Sequence, residues 1–290
     1  MTLIGIVIAT HNRRELLKNL LISVSKQKLS DSIQTKVYVV DDGSTDDTGS
    51  MLINEFEHVE IINGSGNWWW TKCMNEGFKA ALADEVDYIL ILNDDNLIQE
   101  NYLSTLLSDK LQLEESSIIG SLSVSLEHEG VIDSGGVKNF NKWNFKIDNY
   151  FKFGERLNQG IKGVKQSCIL SGRGTLIPEV VFRKIGLYDE KLIQYGSDDD
   201  FILRARKAGF PVYISFNAIV YNHSSLTSIG RGFNNETLYD LTKSIFNKHS
   251  SNSICKHAYM YFKHGYKIFT PLYALITTAA TYRNYFKRKI

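Results

Sequence analysis

The chain has 290 residues, 43% of them hydrophobic and 22% charged, with a formal net charge of +1. That length and composition suit one large domain or a domain with an appendage, exclude a disordered chain, and leave no global charge footprint for nucleic acid. The three cysteines, Cys73, Cys168 and Cys255, are far apart and in no C-x-x-C spacing, which argues against a disulfide framework or structural zinc site and fits a reducing cytoplasm.

Residues 3–9 read as a buried strand. They meet polar His11-Asn12-Arg13-Arg14 at once and lack the basic flank of a signal peptide. A helix is expected over 14–26, then strand 36–40, helix 45–56, strand 59–62, helix 71–83 and strand 88–92, a parallel α/β alternation. Continuous runs such as Ile6-Val7-Ile8 and Val37-Tyr38-Val39-Val40 suit strands covered on both faces, and such sheets bind ligands beyond the strands' carboxyl ends. Those ends carry Thr10-His11-Asn12-Arg13, Asp41-Asp42-Gly43-Ser44 and Asn93-Asp94-Asp95-Asn96. From about 117 to 177 the pattern shortens, with Gly and Asn punctuation, and predicts a hairpin-rich half laid on the sheet to receive a second substrate. No linker or repeat separates the halves, so residues 1–250 are expected to form one domain of two lobes, 1–116 and 117–250. A helical appendage is expected at 251–290.

Thr10-x-Asn12-Arg13 and Asp41-Asp42-Gly43-Ser44-Thr45 offer backbone N–H groups, a cation and carboxylates suited to a nucleotide's base, ribose and phosphates. The second also reads as an ordinary turn with an N-cap. The dinucleotide and P-loop glycine fingerprints do not occur. Asn93-Asp94-Asp95-Asn96 lies where a Mg2+ or Mn2+ bridging a diphosphate would neutralise a leaving group, with Asp95 as ligand and Asp94 contributing directly or through water. Ser197-Asp198-Asp199-Asp200 opens an amphipathic helix ending at Gly209. Acids favour a helix N-terminus, which is reading enough for their presence, yet three in a row repel one another unless a cation, an Arg or a substrate hydroxyl is near, and one of them could then serve as a base. The acids that do not serve as base are then expected to cap and charge the helix.

Three features keep two readings each. His223, after a strand at 218–221, is either a structural histidine or a metal ligand. Trp68-Trp69-Trp70, behind Gly64-Ser65-Gly66-Asn67, is either core packing or a sugar-binding wall. Residues 255–290 carry Lys263, Lys267, Arg283, Lys287, Arg288 and Lys289 around an apolar stretch at 268–282 that is shorter than the ~20 residues of a spanning helix. That segment is either a helix lying in the interface of an anionic membrane or an oligomerisation helix that would make a homo-oligomer.

In order, these pieces resemble the family-2 inverting glycosyltransferases of the GT-A fold and, within them, the bacterial rhamnosyltransferase-like branch. Ala9-Thr10-His11-Asn12-Arg13 is similar to the family's T-x-N-R opening, Val40-Asp41-Asp42-Gly43-Ser44-Thr45-Asp46 to V-D-(N/D)-x-S-x-D, and Gly66-Asn67-Trp68-Trp69-Trp70 to the branch's G-N-x-W-W. Leu92-Asn93-Asp94-Asp95 stands at the D-x-D-type metal motif, and Ser171-Gly172-Arg173-Gly174-Thr175-Leu176-Ile177 before Gly186-Leu187-Tyr188-Asp189-Glu190 at G-x-(F/Y)-D-E. Tyr195-Gly196-Ser197-Asp198-Asp199-Asp200-Phe201 resembles Y-G-E-D-x-D-(L/F), which carries the base. Asn93 and Ser197 depart from the pattern, replacing an Asp and a Glu.

The resemblance covers residues 6 to about 228. It implies a Rossmann-like nucleotide-diphospho-sugar transferase fold of GT-A type, α/β, with a mixed sheet flanked by helices. It implies Asp198 as base, Asp95 and His223 on a divalent cation, Asp41 on the nucleotide base, and Thr10 and Arg13 on the nucleotide. Asn12, Asp42, Asn67, Trp68, Trp69, Asp94 and Arg173 complete the expected substrate-binding set. The expected reaction is inverting transfer from a nucleotide-diphosphate sugar, dTDP-rhamnose ahead of a UDP-sugar. The acceptor is a hydroxyl of a cell-surface glycan or lipid-linked glycan at the inner face of the cell membrane, with no nucleic-acid partner. Two other readings stand beside it: a sugar nucleotidyltransferase, which would need a Gly-rich basic loop after the first strand, and a non-catalytic glycan-binding relative, suggested by Asn93 and Ser197.

Overall fold

The computed structural model describes residues 1–223 and 237–289. The β-branched runs of the first hundred residues form four parallel strands, β1 (Thr2–Thr10), β2 (Ile33–Asp41), β3 (Glu60–Asn63) and β4 (Tyr88–Asn93), ordered β3-β2-β1-β4. Helices α1 (Arg14–Ser25), α2 (Thr48–Glu55) and α3 (Trp69–Ala83) connect them. Because helices cover both faces, the sides of β1 enter different cores. Ile4, Ile6 and Ile8 pack with Leu17, Leu20 and Leu52, and Val7 packs with Met74, Phe78 and Ala81. Each such aliphatic side chain contributes about 1.5–3 kcal/mol by leaving water. Register sets Thr10 opposite Asp41, Asp41 opposite Asn63 and Ala9 opposite Asn93, so the polar strand ends share one edge.

The chain continues through β5 (Asn96–Ile98), α4 (Tyr102–Leu111), β6 (Ile118–Ser125), β7 (Ile132–Ser134), β8 (Val137–Phe140), β9 (Ile147–Asn149), β10 (Val164–Gln166), β11 (Thr175–Pro178), α5 (Glu179–Ile185), α6 (Ser197–Lys207) and β12 (Val212–Asn222). Among the described residues these complete a ten-stranded mixed sheet, eight strands along the path β10-β12-β6-β11-β4-β1-β2-β3, with β5 paired to β12 and β7 to β6 off it. The expected hairpin-rich half is therefore corrected: β6 and β11 extend the main sheet, and only β8 and β9 pair apart from it. Strand β6 carries Ser121, Ser123 and Ser125, yet it is buried throughout. Ser121 donates to the Gly174 carbonyl at 2.7 Å and Ser123 to Asn222 Oδ1 at 2.6 Å, which removes the cost of burying them.

Strand β11 runs antiparallel to β4, so its amino end lies beside the carboxyl end of β4, and the Gly174 N–H donates to the Ile91 carbonyl at 2.8 Å. The loop of residues 171–174 thus reaches the polar edge. Gly174 is required there: its φ is +71°, and a Cβ would lie 2.6 Å from Tyr102 Oη and Val220 Cγ2.

The last elements are α7 (Leu238–Phe246), α8 (Ile254–His264) and α9 (Thr270–Lys289). A capping box of Thr237 and Asp240 starts α7. Helix α8 is fastened to α6. Asp200 Oδ1 lies 2.7 Å from both Lys263 Nζ and His264 Nε2, while Asp189 Oδ2 accepts from Lys263 and Tyr259 Oη at 2.6 Å each. Lys263, read from the sequence as part of a basic flank, is instead paired inside the protein. Among the described residues no helix is long and apolar enough to cross a membrane.

Candidate active site

The loops after β1 and β2 are sewn together. Asn12, at φ +53°, donates its backbone N–H to Ser44 Oγ at 2.9 Å and accepts at Oδ1 from the Thr45 N–H at 2.7 Å. Asp41 accepts the Ser44 N–H at 2.9 Å. The Asp42 carboxylate accepts three backbone N–H groups, those of Gly66, Trp68 and Trp69, at 2.8–3.0 Å. It thereby anchors the glycine loop that presents exposed Asn67 and begins α3. Asn12 and Asp42, both expected on the substrate, hold loop backbone in place, while Thr10, Arg13 and Asp41 stand beside them on the edge.

At the end of β4, buried Asp94 accepts from Thr10 Oγ1 at 3.0 Å and from Arg13 at 2.8 Å; the same guanidinium nitrogen is 3.5 Å from Asp95 Oδ2. Burial pushes the Asp94 carboxyl up to about 6 against the pull of Arg13, and the neighbouring Asp95 charge adds to the rise. Asn93 Oδ1 is buried and has no hydrogen-bond partner among the described residues. His223 comes close through its backbone, its N–H donating to the Asp95 carbonyl at 3.4 Å, whereas its ring Nδ1 is 3.6 Å from Glu127 Oε1. Among the described residues no three His, Cys, Asp or Glu side chains converge as a ready-made metal cage. Buried carboxylates beside an unsatisfied amide oxygen nevertheless fit the hard-cation pattern in which one or two protein oxygens act together with substrate phosphates.

The second acidic cluster reaches the same edge through the loop of residues 171–174. Asp198 Oδ2 accepts the Gly172 N–H at 3.1 Å, and Oδ1 accepts the Asp199 N–H at 3.0 Å. Burial raises the Asp198 carboxyl above the usual carboxylate range, opposed by these backbone donors and by the charge of Arg173. Asp199 is also pushed up, by burial and by Asp198, with Lys256 opposing. The helix cap is Gly196 at φ +88°, with no side-chain cap. The expected capping by Asp199 and Asp200 is therefore corrected: both charge the first turn but neither caps it, and Asp200 turns sideways to Arg204 and α8. Trp70 closes the wall: a Cβ on Gly172 would meet its ring at 3.0 Å, and it packs on Tyr188 with centroids 5.6 Å apart.

The family model for glycosyl transferase family 2 matches residues 5–164, more than half of the chain. The chain belongs to this family. GalNAc-T7, solved with UDP, GalNAc and Mn2+, superposes with a TM-score of 0.62 at 15% identity over 84% of this chain and 48% of its own. S. aureus TarS 1–349 superposes with a TM-score of 0.58 at 16% identity over 98% and 90% of the two chains, and its complex with UDP gives 0.59. These likenesses are of fold, the GT-A fold. The present chain spans about half the length of the GalNAc-T7 chain. No curated protein matches in sequence.

In this glycosyltransferase the C-terminal segment and the turn before α6 supply groups that the sequence reading missed. His249 stacks on exposed Trp69 with ring centroids 3.9 Å apart. Gln194 Oε1 accepts the Trp70 N–H at 3.2 Å. Lys256 lies over Tyr195, its Nζ 5.8 Å from the ring centre. The three tryptophans divide their work: Trp70 packs inward, Trp69 stands at the mouth, and Trp68 carries Lys72 over its ring at 4.9 Å. One signal was available. Residues 241–290 hold no Asp or Glu, so the acidic partner of any cation that folds inward there lies in an earlier part of the chain.

Proposed function

We infer that the chain is an inverting glycosyltransferase that moves a sugar from a nucleotide-diphosphate donor to a hydroxyl of a cell-surface or lipid-linked glycan. The observation that carries this reading is the Asp198 carboxylate, held by two backbone N–H groups at the edge where Asp41, Arg13, Asp94 and Asp95 gather. A uridine donor draws support from the UDP complexes of two structures sharing the fold, and rhamnose on a thymidine nucleotide from the Gly66-Asn67-Trp68-Trp69-Trp70 motif.

Thr10, Arg13 and Asp41 bind the nucleotide, and Arg13 offsets diphosphate charge. The acceptor oxygen attacks the anomeric carbon from the face opposite the diphosphate. As that bond forms, the C–O bond to the diphosphate breaks and the hydroxyl proton passes to Asp198. An elevated carboxyl is suited to that task, because a base whose affinity for protons is nearer neutrality takes the proton with less penalty. A divalent cation, Mg2+ or Mn2+, held by Asp95 with His223 and the phosphates, would neutralise charge on the departing diphosphate. The Trp69–His249 stack offers an apolar wall for the acceptor sugar.

Asp198→Asn is expected to fold, bind nucleotide and lose roughly 10²–10⁴-fold in transfer rate. A panel of UDP- and dTDP-sugars with and without Mn2+, read by thermal shift and product formation, identifies the donor. Full transfer by Asp198→Asn sinks the assignment. Helix α9 leaves Leu272, Leu275, Ile276 and Phe286 exposed in a stretch without acidic residues, which supports a peripheral seat on an anionic inner membrane face.

A further inference from the structure

Two adjacent carboxylates in the first turn of α6 carry a problem that the strand-end motifs do not solve. Asp198 and Asp199 are both half-buried, and each makes ionisation of the other harder. A base must be ionised to take a proton, so a cation has to reach that turn. Arg173, in the loop before β11, contributes its charge there. The other comes from a helix more than fifty residues later in the chain.

That helix is placed firmly. Lys263 and His264 bind Asp200, and Lys263 and Tyr259 bind Asp189, fixing the C-terminal half of α8 against α6 and the turn before it. Ser253 caps the other end by accepting the Lys256 N–H at 3.5 Å. Between these anchors Lys256 runs along the backbone at Gly196, where a Cβ would be 3.8 Å from Lys256 Cδ. Its Nζ donates to the Ser251 carbonyl and stands over the Tyr195 ring. Gly196 takes φ +88°, a backbone conformation that glycine adopts without strain.

We propose that Lys256 is a positioning residue for glycosyl transfer: from the first turn of α8 it sets a cation against the first turn of α6, offsetting the paired charge of Asp198 and Asp199 so that Asp198 can receive the acceptor's proton. Residues 247–264 are on this account part of the reaction centre. The role rests on the transferase reading above. Burial pulls the ammonium of Lys256 down to about 8, with Asp199 and Asp198 holding it up, which is the reciprocal of its effect on them. The charged and titratable groups facing the pair are Arg173 from the loop, Tyr188 beneath, Asp200 on α6, and Lys256 on α8. Asp200 is engaged by its own partners, so Arg173 and Lys256 are the cations that answer Asp198 and Asp199.

The test uses the full-length chain with 13C-labelled aspartate carboxyls, followed by NMR through pH 3–9, with the two resonances identified by Asp198→Asn and Asp199→Asn. In Lys256→Met the upper titration step of the pair is expected to rise by about one pH unit. Lys256→Arg, which keeps the charge, is expected to restore the wild-type step. Transfer assayed in parallel should fall about tenfold at pH 7 in Lys256→Met through kcat, with donor KM within twofold and the acidic limb of the profile moved upward. An unchanged titration step in a folded Lys256→Met protein overturns the proposal, whatever its activity. A shifted step in a protein that transfers no sugar leaves the charge pairing standing and removes the transferase reading beneath it. A lowered kcat that Lys256→Arg fails to restore also overturns it, since packing and not charge would then be responsible.

Discussion

Replacing Asp200 with Asn removes the anion at the centre of the α6–α8 junction while preserving its shape. The side chain is fully buried, so its electrostatics need no discount for solvent. Burial works against the charged form, yet His264, Lys263 and Arg204 outweigh it and bring the carboxyl down from 3.8 to about 2. A lowered carboxyl contributes stability that is present above its unfolded value and lost as pH falls through its folded value. A shift of nearly two units corresponds to about 2.5 kcal/mol at pH 7, falling to about half of that at pH 3. Breaking a buried pair can cost more, about 3–5 kcal/mol. Arg204 also donates to the Ile185 and Leu187 carbonyls at 2.7 Å each, and Lys263 keeps Asp189, which holds the loss near the lower figure. Urea unfolding of wild type and Asp200→Asn at both pH values measures the gap directly. Hydrogen exchange over residues 254–264 should quicken by about 70-fold if α8 undocks alone. A gap below about 1 kcal/mol at pH 7, or one of equal size at pH 3, refutes the reasoning.

Two further outcomes are expected. Gly77→Ala inserts a methyl whose carbon would lie 2.4 Å from Val7 Cγ1 where α3 crosses β1, at a φ that alanine can adopt; overpacking there should lower stability by about 1–3 kcal/mol, read as a reduced Tm. Leu275→Asp combined with Ile276→Asp should cut sedimentation of the full chain with phosphatidylglycerol vesicles by at least about tenfold, since two exposed apolar side chains worth roughly 1.5–3 kcal/mol each on burial are removed; unchanged vesicle binding, with a shift from dimer to monomer, would instead assign that face to a second copy of the chain.

The α/β alternation was legible because a strand covered on both faces must be apolar at successive positions and its covering helix on one side only, and both patterns are local. Strands β1 to β4 lie close to their expected places for that reason. The polar strand ends were legible as well, since Thr10, Asp41 and Asn93 each close an apolar run. The serine-rich β6 was not, because Ser121 and Ser123 become tolerable in a core only through Gly174 and Asn222, residues 53 and 99 positions away. Asp42 shows the same limit at the site: its sequence position beside Asp41 suggests a ligand contact, while its three N–H partners lie in a loop more than twenty residues on.

By itself the sequence determined the family, the sheet's polar edge and the two acidic clusters, since these reside in short contiguous motifs. Only the tertiary structure decided that the clusters share one edge of the sheet, through β11 running back along β4 to bring Gly172 to Asp198. It alone turned Lys263 and His264 inward, because the burial of a polar side chain is decided by where its partner lies in space, and Asp200 and Asp189 stand on α6 and the turn before it.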